Sequence, residues 1–265
     1  MRAVVTAGGT SELIDDVRVL TNLSSGRFGA AIANALAARG VEVTLLAGRT
    51  LATRPEWVDR AVEVVPFGGF AELDAALMRA CESPPGLVFM AAAVSDYAPA
   101  RTEGKIRSDL DELVLVLRRN PKLLGKLRGV CGPDTFLVGF KLLSGVTREE
   151  LVQVAHHQVE RDQLDLCVAN DLQDLVGDRH PAQLVTPEGG AHPLDGTKAE
   201  VAAGLVSFAL RRHQARRPRL APVDGPASGP EPEVLAAARD AGGTGSWRMG
   251  DGSVGFPGGG RAWFG

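Results

Sequence analysis

The sequence predicts an α/β fold: a doubly wound, mostly parallel sheet with helices on both faces, followed by a disordered tail. Three observations carry this. Strand-like apolar runs alternate with helical patterns along residues 1–214. One run, Leu87–Ala91, is continuously apolar, as a strand covered on both faces must be. Glycine loops follow strand ends, which is where such a sheet holds its ligand.

Ala3–Thr6 reads as the first strand, Gly26–Arg39 as an amphipathic helix ended by Gly40, and Val41–Leu46 as the second strand. Ala61–Val65 is a third strand. Phe70–Cys81 is a helix, with Phe70, Leu73, Ala76 and Leu77 on its apolar face. After Leu87–Ala91, Leu113–Leu117 reads as a further strand, and Pro121 opens a short helix. Strand Phe136–Phe140, helix Arg148–Arg161, strand Leu164–Val168, a hairpin near Gln183–Pro193 and helix Lys198–Arg212 complete a Rossmann-like domain over 1–214. Residues 215–265 are rich in glycine and proline and poor in aliphatics. They predict a disordered tail with at most a short helix near Val234–Ala241.

At 265 residues and 45% hydrophobic, the chain has ample material for one large core. A net charge of −3 gives no basis for a nucleic-acid partner, and the Arg211–Arg219 cluster reads as a solvated helix end and linker. No apolar run approaches the ~20 residues that span a membrane, and no signal peptide is visible, so a cytoplasmic protein is expected. Cys81, Cys131 and Cys167 are odd in number and widely spaced, and they read as reduced thiols in or near the core. His156 and His157 are adjacent on a helix and point apart, a poor metal pair.

The most informative stretch is Leu20–Gly29. It follows the glycine loop Thr6-Ala7-Gly8-Gly9-Thr10 and runs into a helix. Ser24, Ser25 and Gly26 at a helix start make an anion site, because free N–H groups and the helix dipole favour negative charge there. The loop is not the dinucleotide fingerprint, and Leu45-Leu46-Ala47-Gly48 stands where a ribose-binding acid is expected. An NAD-dependent dehydrogenase is therefore disfavoured. No Walker sequence is present. Further polar segments follow later strands: Met90-Ala91-Ala92 leading to Asp96-Tyr97, Gly104-Lys105-Ile106, Asn120-Pro121-Lys122-Leu123-Leu124, Gly139-Phe140-Lys141 and Ala169-Asn170-Asp171. Small residues let a base or sugar approach the backbone. A lysine behind a glycine can swing onto phosphate, and an aromatic can stack on a base. Singly, each segment has an ordinary structural explanation. Together they fall where a parallel sheet places its ligand.

In this order, over about residues 1–210, these segments resemble the phosphopantothenate–cysteine ligase family. Thr6–Glu12, Ile14-Asp15, Val17-Arg18 and Thr21-Asn22 belong to the same series. The resemblance implies ligation of 4′-phosphopantothenate to L-cysteine through an acyl-nucleotide, with CTP or ATP and Mg2+, in a Rossmann-like homodimer. It makes Asn22 the contact to the acyl intermediate and Lys105 the mobile lysine of the first transfer. Gly8, Gly9, Ser24, Ser25, Gly26, Met90, Ala91, Ala92 and Asp96 would hold the nucleotide. Pro121, Lys122, Leu123, Leu124 and Phe140 would line its base pocket, and Asp15 and Arg18 would contribute to the substrate site near the dimer interface. Gln158 and Asp162 stand where CTP-type bacterial members carry lysines, and Gly139–Leu143 looks more like eukaryotic-type members, so CTP versus ATP stays open. The chain begins at the ligase domain, so neither decarboxylation nor FMN is expected. The alternatives are a diverged, non-catalytic nucleotide-binding module and a nicotinamide-dependent oxidoreductase.

Overall fold

The computed structural model describes residues 1–109 and 111–216. The expected helix at Val234–Ala241 and nearly all of the expected tail lie outside the described residues. The chain opens with β1 (Arg2–Ala7), a hairpin of β2 (Ser11–Leu13) and β3 (Val19–Thr21), α1 (Arg27–Ala37), β4 (Glu42–Gly48) and α2 (Arg49–Ala52). Then come β5 (Glu63–Phe67), α3 (Phe70–Cys81), β6 (Leu87–Met90), β7 (Tyr97–Pro99), β8 (Leu117–Arg119) and α4 (Leu124–Cys131). Next are β9 (Phe136–Leu143), α5 (Arg148–Arg161), β10 (Leu166–Asp171), β11 (Ala182–Val185), β12 (Ala191–Leu194) and α6 (Lys198–Ala215).

The main sheet runs β12-β11-β10-β9-β6-β1-β4-β5. The six strands from β5 to β10 pair in parallel, and β11 and β12 close one edge antiparallel. Counted along the chain, the parallel strands take the order 3-2-1-4-5-6, so the winding reverses between β1 and β6. The expected mostly parallel α/β sheet is what forms.

Alternation along each strand divides the core into two layers. Ala3, Val5 and Ala7 of β1 face the layer beneath α1 and α6, with Ile32, Leu36, Leu205 and Val206. Val4 faces the other layer, with Leu73 and Leu77 of α3, Leu127 of α4 and Ala155 and Val159 of α5. The three cysteines are buried. A capping box of Thr147 and Glu150 starts α5, and Thr197 and Glu200 start α6 in the same way. No described helix is long and apolar enough to cross a membrane.

Two expectations need correction. Leu113–Leu117 is not a strand of the main sheet. Only Leu117–Arg119 is extended, and it pairs with β7 in a separate two-stranded sheet. Because β6 pairs directly with β9, no strand can enter between them, and Leu113 to Val116 are left exposed. The helix after Pro121 begins only at Leu124, following a turn. The β2–β3 hairpin was not expected at all. Glu12 on β2 accepts the Phe70 N–H at 2.9 Å, and the Ser11 N–H donates to the Gly68 carbonyl at 2.9 Å, so the hairpin stands over the start of α3.

Candidate active site

The crevice opens at the carboxyl ends of β1 and β6, where the loops after the two strands are tied together. The Ala93 N–H donates to the Gly8 carbonyl at 2.9 Å, and the Thr10 N–H donates to the Ala93 carbonyl at 3.2 Å. The Thr10 hydroxyl accepts the Ser95 N–H at 2.9 Å and donates to the Ser95 hydroxyl at 2.8 Å. Thr6 Oγ1 accepts the Ala92 N–H at 3.1 Å. Gly8, Gly9, Ala91 and Ala92 thus form one floor of small residues. Met90 lies beneath it, buried in the core.

Asn22 and the start of α1 sit against this floor. The Asn22 side-chain amide donates to the Ala93 carbonyl at 3.2 Å. Gly26 is left-handed, with φ of 76°, and a Cβ there would stand 3.0 Å from the Gly8 nitrogen and 2.9 Å from Leu51 Cδ2. The N-cap, Gly26, offers no capping side chain, the Ser25 hydroxyl accepts the Arg27 N–H at 3.4 Å, and no acidic residue lies in the first turn, so an anion is the natural complement of this helix end. Ser24 is half-buried and Ser25 is exposed beside it. One turn further, a Cβ on Gly29 would collide with the Ala7 side chain, which lets α1 lie close on β1. Gly8 turns the chain after β1, Gly26 lets the start of α1 approach that turn, and Gly29 lets α1 pack on β1, a set of glycines split by the inserted hairpin. The sequence pattern hid this because the spacing is broken. The readable signal was Gly26-x-x-Gly29.

Lys105 is exposed on a loop that the hairpin turn holds from below. The Thr102 N–H donates to the Ile14 carbonyl at 2.9 Å, and the Asp16 N–H donates to the Gly104 carbonyl at 3.1 Å. Asp15 is fully buried. It accepts from the amides of Val17 (2.9 Å), Arg18 (2.7 Å) and Ile106 (3.1 Å) and from Arg18 Nη1 (2.6 Å). Burial alone would raise the Asp15 carboxyl. The amides of Val17, Ile106 and Arg18 and the Arg18 charge outweigh it and hold the carboxyl below its ordinary range. Arg18 also donates to the Ile106 carbonyl at 3.3 Å.

The remaining expected residues do not line one pocket: Leu123 and Leu124 pack in the layer of α3, α4 and α5, and Phe140 packs in the layer of α1 and α6 on the opposite face of the sheet. The Asn120 N–H donates to the Asp96 carbonyl at 2.8 Å, and its side chain donates to the Ser95 carbonyl at 2.9 Å, which brings Pro121 and Lys122 beside Asp96. Lys122 and Asp96 pair at 2.5 Å, both about half exposed. Leu123 belongs to the core, and Leu124 is partly buried against it. Phe140 lies on the α1 face of the sheet, edge-on to Phe28 with ring centroids 6.2 Å apart. Phe28 in turn stacks on His180 at 3.9 Å. Sequence reasoning missed Phe28 and His180. His180 is buried, its Nδ1 has no partner among the described residues, and burial, helped by the Lys198 charge, lowers it to about 4, so its ring is neutral.

Some polar residues in the motif series turn away from the crevice. Asp171 accepts from the amides of Gln173, Val146 and Gly145, which hold its carboxyl below the ordinary range. Asn170 donates to the Pro181 carbonyl at 2.6 Å. Gln158 is buried and reaches the Phe140 carbonyl at 3.4 Å, and Asp162 pairs with Arg161. Asp171 thereby holds the loop after β9, and Asn170 the segment that leads into β11.

A family model described as the DNA/pantothenate metabolism flavoprotein C-terminal domain matches residues 1–211. The chain belongs to this family. The domain so defined coincides with the stretch that carries the sequence resemblance. A relative, the coenzyme A biosynthesis bifunctional protein CoaBC of Thermococcus kodakarensis, is 38% identical over 205 residues, covering 77% of this chain and 49% of that protein. The chain spans about half the length of the curated relatives it matches. Among solved structures, the DNA/pantothenate metabolism flavoprotein of Streptococcus pneumoniae is 28% identical with a TM-score of 0.70, over 80% of this chain and 99% of that one. The C-terminal domain of a CoaBC protein is 26% identical with a TM-score of 0.65, over 80% and 96%.

Proposed function

We propose that this family domain joins 4′-phosphopantothenate to L-cysteine, a step of coenzyme A biosynthesis, through an acyl-nucleotide. The observation that carries the reading is the convergence of Asn22, the Gly26-capped start of α1 and the small-residue floor at the reversal point of the sheet. In the first half-reaction the carboxylate of phosphopantothenate attacks the α-phosphorus of CTP or ATP, and pyrophosphate leaves. Negative charge grows on the α-phosphate as this happens. The Lys105 ammonium, exposed and with no ion-pair partner among the described residues, is free to meet it. Ser24, Ser25 and the first-turn amides of α1 bind phosphate oxygens. In the second half-reaction the cysteine amine attacks the acyl carbon, the nucleoside monophosphate leaves with the bonding pair, and the amine loses a proton. The Asn22 amide, fixed on the Ala93 carbonyl, donates to the acyl oxygen and orients that attack.

Magnesium bound with the triphosphate fits Asp96, an exposed carboxylate whose second oxygen takes no hydrogen bond among the described residues, and it would offset phosphate charge there. A second copy of the chain is part of the reading. Leu113–Leu117, Val17, Val19, Leu23 and Tyr97 leave apolar surface exposed around the Lys105 loop and the hairpin, which suits a homodimer face. A cytoplasmic location follows from the same metabolic role.

Pyrophosphate release tests the proposal, with phosphopantothenate, magnesium and either CTP or ATP, with and without L-cysteine. Sustained turnover that requires phosphopantothenate and cysteine is the expected result, and the better nucleotide identifies the donor. No pyrophosphate with either nucleotide would overturn the ligase in favour of a nucleotide-binding module without chemistry.

A further inference from the structure

We infer that Asp15 is a positioning residue for Lys105: a buried carboxylate that clasps the lysine loop to the hairpin turn. This rests on the ligase reading above. Asp15 is fully buried, so its oxygens are not offered to a ligand. Oδ1 takes the amides of Val17 and Arg18, which closes the turn. Oδ2 takes the Ile106 amide, immediately after Lys105, and the Arg18 guanidinium. Arg18 returns to the Ile106 carbonyl, so both polar backbone groups of Ile106 are held by one ion pair. On the other side of Lys105, the Gly104 carbonyl accepts the Asp16 N–H, and Arg101 pairs with Asp16 at 2.8 Å.

The backbone is thus fixed immediately before and after Lys105, while its side chain stays free. This is the arrangement a mobile cation needs: a small search volume about a fixed root. The surroundings keep Asp15 ionised, so the clasp is a set of charge-assisted bonds, stronger than neutral ones. The hairpin itself is anchored on α3 through Glu12, so the root of Lys105 is referred to the main sheet rather than to solvent.

The test is a double-mutant cycle with a protease readout. Asp15→Asn keeps the shape and removes the charge. It should slow pyrophosphate release by about 10²-fold, as a misplaced reactive group does, with KM for L-cysteine unchanged. Trypsin should cut faster after Arg101, Lys105 and Arg107. In the Lys105→Ala background, Asp15→Asn should slow the reaction no further, because its effect passes through the lysine. Additive losses, or an Asp15→Asn enzyme as fast and as protease-resistant as the parent, would overturn the inference. If Asp15→Asn does not fold, the same cycle with Ile106→Pro, which deletes the amide that Asp15 accepts, decides it by the rates and by trypsin cutting after Arg101 and Arg107, since a Lys-Pro bond resists trypsin. Absence of pyrophosphate release from the parent protein would sink the ligase reading instead, and the trypsin comparison would still show whether Asp15 holds the loop.

Discussion

Gly26→Ala separates two reasons for a glycine at the start of α1. The residue has φ of 76°, and at the other end of the same helix Gly40 has φ of 72°. An alanine at either site carries the left-handed penalty of about 1–2 kcal/mol, less the ~0.4–1 kcal/mol that Gly→Ala recovers from the unfolded chain. The two differ in space. A Cβ at Gly40 meets nothing within 4 Å, whereas one at Gly26 meets Gly8 N at 3.0 Å and Leu51 Cδ2 at 2.9 Å. Ordinary contact is ~3.5–4.0 Å, so the helix start must retreat from the Gly8 loop by roughly 0.5–1 Å. That crowding adds about 1–3 kcal/mol. At ~2–4 °C per kcal/mol for a domain of this size, Gly26→Ala should melt several degrees below Gly40→Ala. A shift near 1 Å at a reacting centre costs about 10²-fold, so kcat/KM for the nucleoside triphosphate should fall by that order in Gly26→Ala and stay at the parental value in Gly40→Ala. Thermal melts and pyrophosphate release on the two variants and the parent suffice. Equal melting losses with parental activity in Gly26→Ala would refute the reasoning, since Gly26 would then matter only for its backbone angle and α1 would not border the site.

Other consequences can be measured with the same material. Lys105→Ala should slow acyl-nucleotide formation, while Asn22→Ala should spare that step and impair use of the intermediate by cysteine; equal effects on both half-reactions in single-turnover experiments would contradict the division of roles. Asp165→Ala should destabilise the domain by about 3–5 kcal/mol in urea unfolding, because Asp165 pairs with Arg128 at 2.8 Å and with Arg216, and also accepts the Leu137 N–H; a loss within that of an ordinary surface substitution would contradict it. His180 falls from an ordinary 6.5 to about 4 on folding. Between those values the unfolded chain binds a proton that the folded one does not, so stability declines as pH drops from 6.5 to 4, by up to ~1.4 kcal/mol per pH unit. His180→Leu should flatten that slope in stability measured across the range, and an unchanged slope would place the titration elsewhere.

Much of this protein was legible along the chain. Phe70–Cys81 and Arg148–Arg161 were read to the residue, because helical patterning is a local signal. The helix start at Ser24–Gly26 and the strand-end segments were legible for the same reason. The β2–β3 hairpin was not, because three-residue strands are too short for any period to register. Leu113–Leu117 misled because an apolar run says that a segment suits a sheet, not that a place between its neighbours β6 and β9 is open to it. Asp15 and Asp171 stood in motifs beside site residues, yet only the fold shows that their oxygens are filled by backbone amides. Residue type and local spacing determined by themselves the α/β class and the long helices, and the motif series carried the family resemblance. Strand order, the meeting of Gly8 with Gly26 across the inserted hairpin, and the distinction between carboxylates filled by backbone amides and those left exposed were decided by the tertiary structure. Each depends on which distant backbone groups come within hydrogen-bonding reach, and sequence distance does not encode that.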